Sequence, residues 1–325
     1  MKIGIFSDAH MRLGGKKMGG IWDKRLVDGL AVLEKIVYEM KGVDAFIFCG
    51  DMFDRRYTTD FKVVAGISEI LQGLDVPGWF IVGNHDQYRD TITSLNMFGM
   101  RPGWHVVNHI ERVNLGGKSL ILSPYHKDAA EILKHPEVQA GGDVLVLHQM
   151  LAGHMYGGSD LMVFGTEVFD WKDVDNFDWI ISGHNHIVGR DDENGVISLG
   201  SMMQLCFADE GCERGCWIYD GEDFKFIPID GPKYFTVNKV EEVKTTNDYY
   251  RLSIPENQFV GNVPENVSVQ VIAADVGCDR LQLGARWDWG DVLGKYVEKH
   301  VLDADKKPYL DAGLTMLKEV GNGRD

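Results

Sequence analysis

Residues 2–10, KIGIFSDAH, form a short apolar run that stops on Asp8 and, two positions later, His10. Read as a strand, the run puts alternate side chains on the same side, so Asp8 and His10 can both reach one ion beyond its end. The same construction recurs along the chain. VDAFIFCGD (43–51) ends on Gly50-Asp51 and continues Met52-Phe53-Asp54-Arg55, and GWFIVGNHD (78–86) ends on Gly83-Asn84-His85-Asp86. KSLILSPY (118–125), DVLVLHQ (143–149) with His148, DWIISGHNH (178–186) with His184 and His186, and GVISLGS (195–201) follow the same rule. Between them lie stretches of helical period: 22–40, with Leu26, Leu30, Leu33, Val37 and Met40 on one face, and DFKVVAGISEILQGL (60–74). Alternating strands and helices predict a layered α/β domain. In such sheets ligands lie beyond the carboxyl ends of the strands, so the polar ends are candidates for one shared site.

The remainder of the composition narrows the class. The 325 residues (36.5 kDa) are 44% hydrophobic and 10% aromatic, the balance of a folded chain. No run approaches the roughly 18 to 20 apolar residues of a bilayer span, and the N-terminus lacks the look of a secretory signal. A cytoplasmic enzyme, with no membrane partner, is expected. The formal charge of −16 argues against unspecific coating of nucleic acid by this chain alone. Five cysteines, Cys49, Cys206, Cys212, Cys216 and Cys278, form no disulfide framework, and the C-x-x-x-C at 212–216 lacks a second ligand pair for a structural zinc.

Strands GCWIYDG (215–221) and DFKFIPID (223–230) close this region, and Gly231-Pro232 marks a boundary. The organisation expected is a first domain at 1–235, a small α+β domain at 236–285 and a helical segment at 286–325. TNDYYRLSIPE (246–256) and NVSVQVIAAD (266–275) read as strands of the small domain. VLGKYVEKHV (292–301) and KPYLDAGLTMLKEV (307–320) read as closing helices, with Trp287 and Trp289 as packing anchors.

Aspartate, histidine and asparagine supply the oxygen and nitrogen ligands that suit divalent manganese, magnesium, iron or zinc. A carboxylate such as Asp51 can bridge two ions about 3.5 to 4 Å apart, the spacing that clamps both oxygens of a phosphate ester displacement. Each motif alone is weak, since a lone histidine is more often structural than a ligand. Five in order are specific. The succession D-x-H, G-D-x-x-D, G-N-H-D, H, G-H-x-H resembles the calcineurin-like metallophosphoesterases over roughly residues 1–235. That resemblance implies a layered β-sandwich core flanked by helices. It also implies one ion on Asp8, His10, Asp51 and His186 and a second on Asp51, Asn84, His148 and His184. His85 would sit over the scissile phosphate as general acid or phosphate donor, oriented by the carboxylate of Asp54. Water between two ions ionises near neutral pH, so no protein base is needed, while the leaving alkoxide needs a proton that an imidazole can give.

Finer features, GDMFDRR (50–56), LHQ, LGSMMQLCFADEGCERGCWIYD (199–220) and GPKYFTV (231–237), resemble the nuclease subunits of the SbcD type. The short tail is closer to the phage recombination nucleases of that group. This resemblance implies a DNA exo/endonuclease of a repair or recombination complex, with manganese as the expected ion and a capping domain after the nuclease domain. It further implies a homodimer and an SbcC-like, SMC-type ATPase partner docked on the C-terminal helices, where Tyr309, Leu310, Leu314 and Leu317 form an apolar face. A phosphoesterase for small molecules or proteins and an inactive DNA-end-binding scaffold are the alternatives.

Three features stand apart from the ligand motifs. Arg55 reads either as a phosphate grip or as the partner of a nearby carboxylate. Residues 11–25 hold Arg12, Lys16, Lys17, Lys24 and Arg25 against Asp23, either a solvated loop or an arm for DNA phosphates. Gly200-Ser201 forms a turn after the last ligand motif, with Ser201 a candidate substrate contact. An acidic nuclease of this kind would hold DNA through its metals, this loop and a partner.

Overall fold

The computed structural model describes residues 1–14, 23–56, 60–89, 92–153, 155–156, 159–162, 166–244, 247–255 and 263–272, with a few isolated helical positions after 290. It divides into two compact units, Met1–Leu252 with Asn262–Val269, and Ser253–Gly261 with Gln270–Asp325. The first unit holds the strand ends that end in chemistry.

Its first sheet is built on β1 (Ile3–Phe6), β2 (Ala45–Phe48), β3 (Gly78–Ile81) and β4 (Trp104–Val107), which run parallel side by side. Their first three members are buried along their whole length, as a parallel sheet covered on both faces requires. The second sheet takes β5 (Glu111–Leu115), β6 (Lys118–Leu122), β7 (Gly142–Leu147), β8 (Phe177–Ser182), β9 (Gly189–Asp191) and β10 (Val196–Ser198) in the order β9-β10-β8-β7-β6-β5. Strands β11 (Gly215–Tyr219) and β12 (Phe224–Pro228) complete the first sheet as an antiparallel edge, giving β12-β11-β1-β2-β3-β4.

Strand alternation sorts the apolar residues between layers. Ile3, Ile5, Ala45, Ile47 and Ile81 from the first sheet meet Leu120, Leu122, Val144, Val146, Ile181 and Ile197 from the second in one buried cluster, the core of the sandwich. The intervening residues Phe6, Phe46, Phe48 and Phe80 face the other way, onto α1 (Lys24–Glu39) and α2 (Phe61–Leu71). Leu26, Leu33 and Val37 of α1 and Val63, Ile67 and Leu71 of α2 lie in that second core. The Asp60 side chain accepts the Lys62 N–H and so starts α2. Short helices α3 (Ala130–Leu133) and α4 (Pro136–Ala140) cover the outer face of the second sheet, where Ile132 and Val138 pack on Ile121, Leu145 and Ile180. The result is the layered α/β sandwich expected, helix on sheet on sheet on helix.

After the sandwich, β13 (Tyr234–Val237) runs parallel to the first half of β14 (Tyr249–Pro255), and a further strand covers Val267–Ile272. Within the first unit the stacked rings of Tyr234 and Tyr249 and the Tyr249 hydroxyl, which donates to Asp28 of α1 at 2.6 Å, fix this pair onto the sandwich. Of the expected closing helices only isolated positions are described, Leu293, Val297 and Glu298 in the first and Lys307 and Leu310 in the second, all helical; Trp287 and Trp289 lie outside the described residues. No described helix is long and apolar enough to cross a membrane.

Candidate metal centre

Five loops leaving β1, β2, β3, β7 and β8 converge at one end of the sandwich. The chain must turn sharply there, and Asp8, His10, Asp51 and His184 take left-handed backbone angles (φ 53°, 42°, 60° and 71°). Such angles are strained for non-glycine residues and cluster at functional sites. The loops also approach very closely. A Cβ on Gly50 would run into the His148 ring, and one on Gly183 would press on Ser7 and the Cys49 carbonyl, so the glycine ahead of the ligand is a packing requirement in both motifs.

The carboxylates and imidazoles so gathered fall into three overlapping clusters of ligand atoms: Asp8, His10 and His186; His10, Asp51 and His85; and Asp51, His148 and His184. His10 belongs to the first two and Asp51 to the last two, and their 3.5 Å approach, His10 Nε2 to Asp51 Oδ2, links all three. Asn84 joins the last of them through Oδ1, 3.1 Å from His148 Nε2 and 2.9 Å from His184 Nδ1. His148 is fully buried, and its Nδ1 donates to the Cys49 carbonyl at 2.5 Å, which turns Nε2 toward Asp51 Oδ2 at 3.4 Å. A carbonyl bond on the far nitrogen is how ligating histidines are held.

The donor set fits divalent cations on two further observations. Asp8 Oδ1 is buried without a hydrogen-bond donor, while its Oδ2 takes the Ser7 hydroxyl and the His184 N–H. His10 Nε2 and His186 Nε2 face each other at 3.2 Å, an arrangement of two lone-pair donors that a shared cation or proton must reconcile.

Charge in the metal-free cluster is tightly paired. Burial alone would lower the pKa of His148, but the neighbouring Asp51 outweighs it and lifts the imidazole to about 9. Burial and the charge of His148 push His184 down to about 4. Burial works against Asp51 as an anion, yet His148 and His10 keep it well below the ordinary carboxylate range. Burial lowers His186, whereas Asp8 raises His10 against its own burial.

His85 is half-buried at the rim. Its backbone N–H donates to Asp51 Oδ1 at 2.8 Å, and its Nδ1 bonds the backbone carbonyl of Asp54 at 2.8 Å. The orienting group is therefore that carbonyl and not the Asp54 carboxylate expected from sequence. The carboxylate instead meets Arg12 at 3.3 Å and lies 3.9 Å from His10 Nδ1. Ser201 also departs from expectation. It is fully buried, its hydroxyl donates to the Met203 carbonyl at 2.7 Å, and its N–H closes a turn onto His186. A hydroxyl used up inside a turn has no contact to offer a substrate. Arg55 is exposed, and Lys16 and Lys17 lie outside the described residues. Cys206 is an exposed thiol, Cys212 is half-buried and Cys216 is buried.

Three residues of the site have no role assigned from sequence. Asp86, fully buried, accepts the N–H groups of Gly83, Asp51, Met52 and Phe53 and so shapes the Asp51 loop. Burial and the Asp51 charge raise its pKa to about 7, although its N–H donors favour the anion. Gln149, also fully buried, ties the His148 loop to residues 126 and 167. Tyr125 lies against His184. Asp86 closes the G-N-H-D motif but has no role assigned there, while Gln149 and Tyr125 sit at strand ends without ligand chemistry of their own.

The calcineurin-like phosphoesterase family profile matches residues 1–188. The chain is 28% identical over 244 residues to "Exonuclease subunit 1" of Enterobacteria phage T4, covering 70% of this chain and 68% of that protein. It is 23% identical over 230 residues to "Probable exonuclease subunit 1" of Escherichia phage T5, covering 69% and 67%. Similarity to a "Probable cyclic nucleotide phosphodiesterase" of Fibrobacter succinogenes reaches 24% over 225 residues, covering 63% of this chain and 81% of that protein. With the ligand clusters at the ends of its sandwich strands and a family match over more than half its length, this chain belongs to the calcineurin-like phosphoesterases.

Proposed function

We propose that the chain is a dinuclear metal-dependent DNA nuclease of the SbcD type, acting as the nuclease subunit of a DNA repair or recombination complex. The observation that carries the hydrolytic part is the gathering of Asp8, His10, Asp51, His148, His184 and His186 in overlapping ligand clusters, with buried Asp8 Oδ1 lacking any hydrogen bond. The nuclease part is supported by similarity to the two phage exonuclease subunits. Asp8, His10, Asp51 and His186 would hold one ion, and Asp51, Asn84, His148 and His184 the other, with manganese as the expected metal. When bound, two divalent ions neutralise the charge of the phosphate and activate water near neutral pH.

The chain's own residues supply the rest. His85, held through Nδ1 by the Asp54 carbonyl, is left to exchange protons through Nε2 and gives one to the leaving oxygen. Arg12, half-exposed and only loosely paired with Asp54, and exposed Arg55 offer guanidinium groups to the phosphates that flank the cleaved bond. Lys16 and Lys17, close to Arg12 in sequence, would add phosphate contacts. Residues 236–285 would form a small capping domain, and 286–325 would dock on an SMC-type ATPase, with the nuclease subunit itself a homodimer.

The alternative is a phosphoesterase for small molecules, favoured by the similarity to the Fibrobacter protein. Incubation with manganese and end-labelled duplex DNA, beside a chromogenic phosphodiester and phosphomonoester, separates the two. Metal-dependent shortening of the DNA is expected. Rapid monoesterase activity with intact DNA would decide for the alternative.

A further inference from the structure

Tyr125 lies in the loop after β6 and is 8% exposed, yet it belongs to none of the three apolar cores of the first unit. What buries it is the metal centre. Its ring centroid lies 5.8 Å from that of His184 at a tilt of 32°, and 6.5 Å from that of His148 in an edge-on arrangement. The phenol at the far end of the ring bonds the side chain of Glu167, and burial together with that bond pushes its pKa up to about 12.

The backbone on either side is tied to the ligand loops themselves. Tyr125 N–H donates to the Val82 carbonyl at 2.9 Å, and its carbonyl accepts from Gln87 Nε2 at 3.4 Å, so it is fastened to the segment carrying Asn84 and His85. The next residue, His126, is gripped at both its N–H and its carbonyl by Gln149, at 3.1 and 2.6 Å, directly after His148. Gln149 Nε2 also reaches the Glu167 carbonyl at 2.9 Å. Phenol, ring and backbone are thus fixed to three different loops.

We propose that Tyr125 is a positioning residue for the second ion, its ring forming the wall that holds His184, and through it the Asn84–His148–His184 group, in ligating orientation. The inference rests on the metal reading of the site. A ligand ring needs a fixed orientation to bind well, and groups that orient ligands from behind typically alter metal affinity about 10- to 100-fold when removed. The imidazole of His184 makes its side-chain hydrogen bond to Asn84, itself proposed as a ligand, so the flat face of Tyr125 is the support from outside the ligand set.

The test is titration of the chain with manganese chloride, followed by calorimetry, for wild type, Tyr125→Phe and Tyr125→Leu. Tyr125→Phe keeps the wall and should hold both ions within about threefold of wild type. Tyr125→Leu should weaken the second ion about tenfold and leave the first unchanged. If Tyr125→Leu does not fold, Tyr125→Met fills the same space without a planar face and should show the same selective loss. Wild-type affinities in Tyr125→Leu, equal loss of both ions, or a Tyr125→Phe as impaired as Tyr125→Leu would overturn the inference. A wild-type chain that bound no manganese would instead overturn the metal reading on which it stands.

Discussion

At Asp86 one carboxylate accepts the backbone N–H groups of four residues and so moulds the loop that presents Asp51. Replacing it by alanine leaves those four buried donors unmet, each at a cost of about 1 kcal/mol or more, so Asp86→Ala should lose about 4 kcal/mol in urea unfolding and bind metal poorly. His85 makes the opposite prediction. Its hydrogen bond to Asp51 comes from the backbone N–H, which alanine retains, so His85→Ala should keep its metal content while turnover falls about 100- to 10,000-fold. Full activity of His85→Ala at saturating manganese would exclude the proton-donor role. His148, lifted to about 9 by Asp51 despite burial, carries a proton at neutral pH in the metal-free chain. Manganese must displace it, so affinity should tighten about tenfold per pH unit between roughly 6.5 and 9, measurable by calorimetry at pH 7 and 8. The sign for folding is reversed: the His148–Asp51 pair stabilises the metal-free chain fully below about pH 6.5 and loses that contribution as pH rises through about 9. At this scale the sequence was legible where side chains carry ligand chemistry, as in Asp8, His10 and His186. It was silent where the backbone does the orienting, which is why the Asp54 carbonyl and the internal turn bond of Ser201 could not be foreseen.

Among elements, the strand ends were the readable feature, because a period of two and an abrupt change from apolar to polar residues survive in a linear string. The run 45–48 shows it, with Ala45 and Ile47 in the sandwich core and Phe46 and Phe48 beneath the helices. Which strands pair was not readable, since the register of β1 with β2 and β11 depends on contacts about 42 and more than 210 residues away. The tight crossing of loops is the structural counterpart of the glycines that precede the ligands. Gly50 sits at φ 93° with the His148 ring where a Cβ would stand. Gly50→Ala should therefore cost about 2 kcal/mol or more of stability and displace His148, seen as a lower unfolding midpoint together with weaker manganese binding. A variant as stable and as metal-competent as wild type would show that the loops have more room than this packing implies.

For the whole molecule, a formal charge of −16 coexists with a substrate proposed to be DNA. The contradiction is resolved locally. Carboxylates such as Asp8 and Asp51 lie in the candidate ligand clusters, while Arg12 pairs with Asp54 beside them and Arg55 is exposed. The thiols test the fold independently of activity. Burial holds Cys216 at about 12 and Cys49 well above the ordinary thiol range, whereas Cys206 is exposed. Iodoacetamide at pH 8 should label Cys206 in the folded chain and leave Cys49 and Cys216 unmodified until denaturant is added. The central claim, two ions sharing Asp51, is tested most directly by metal stoichiometry in equilibrium dialysis against manganese. Two ions per wild-type chain and loss of both in Asp51→Ala are predicted; a single ion in wild type, or two retained by Asp51→Ala, would contradict the account.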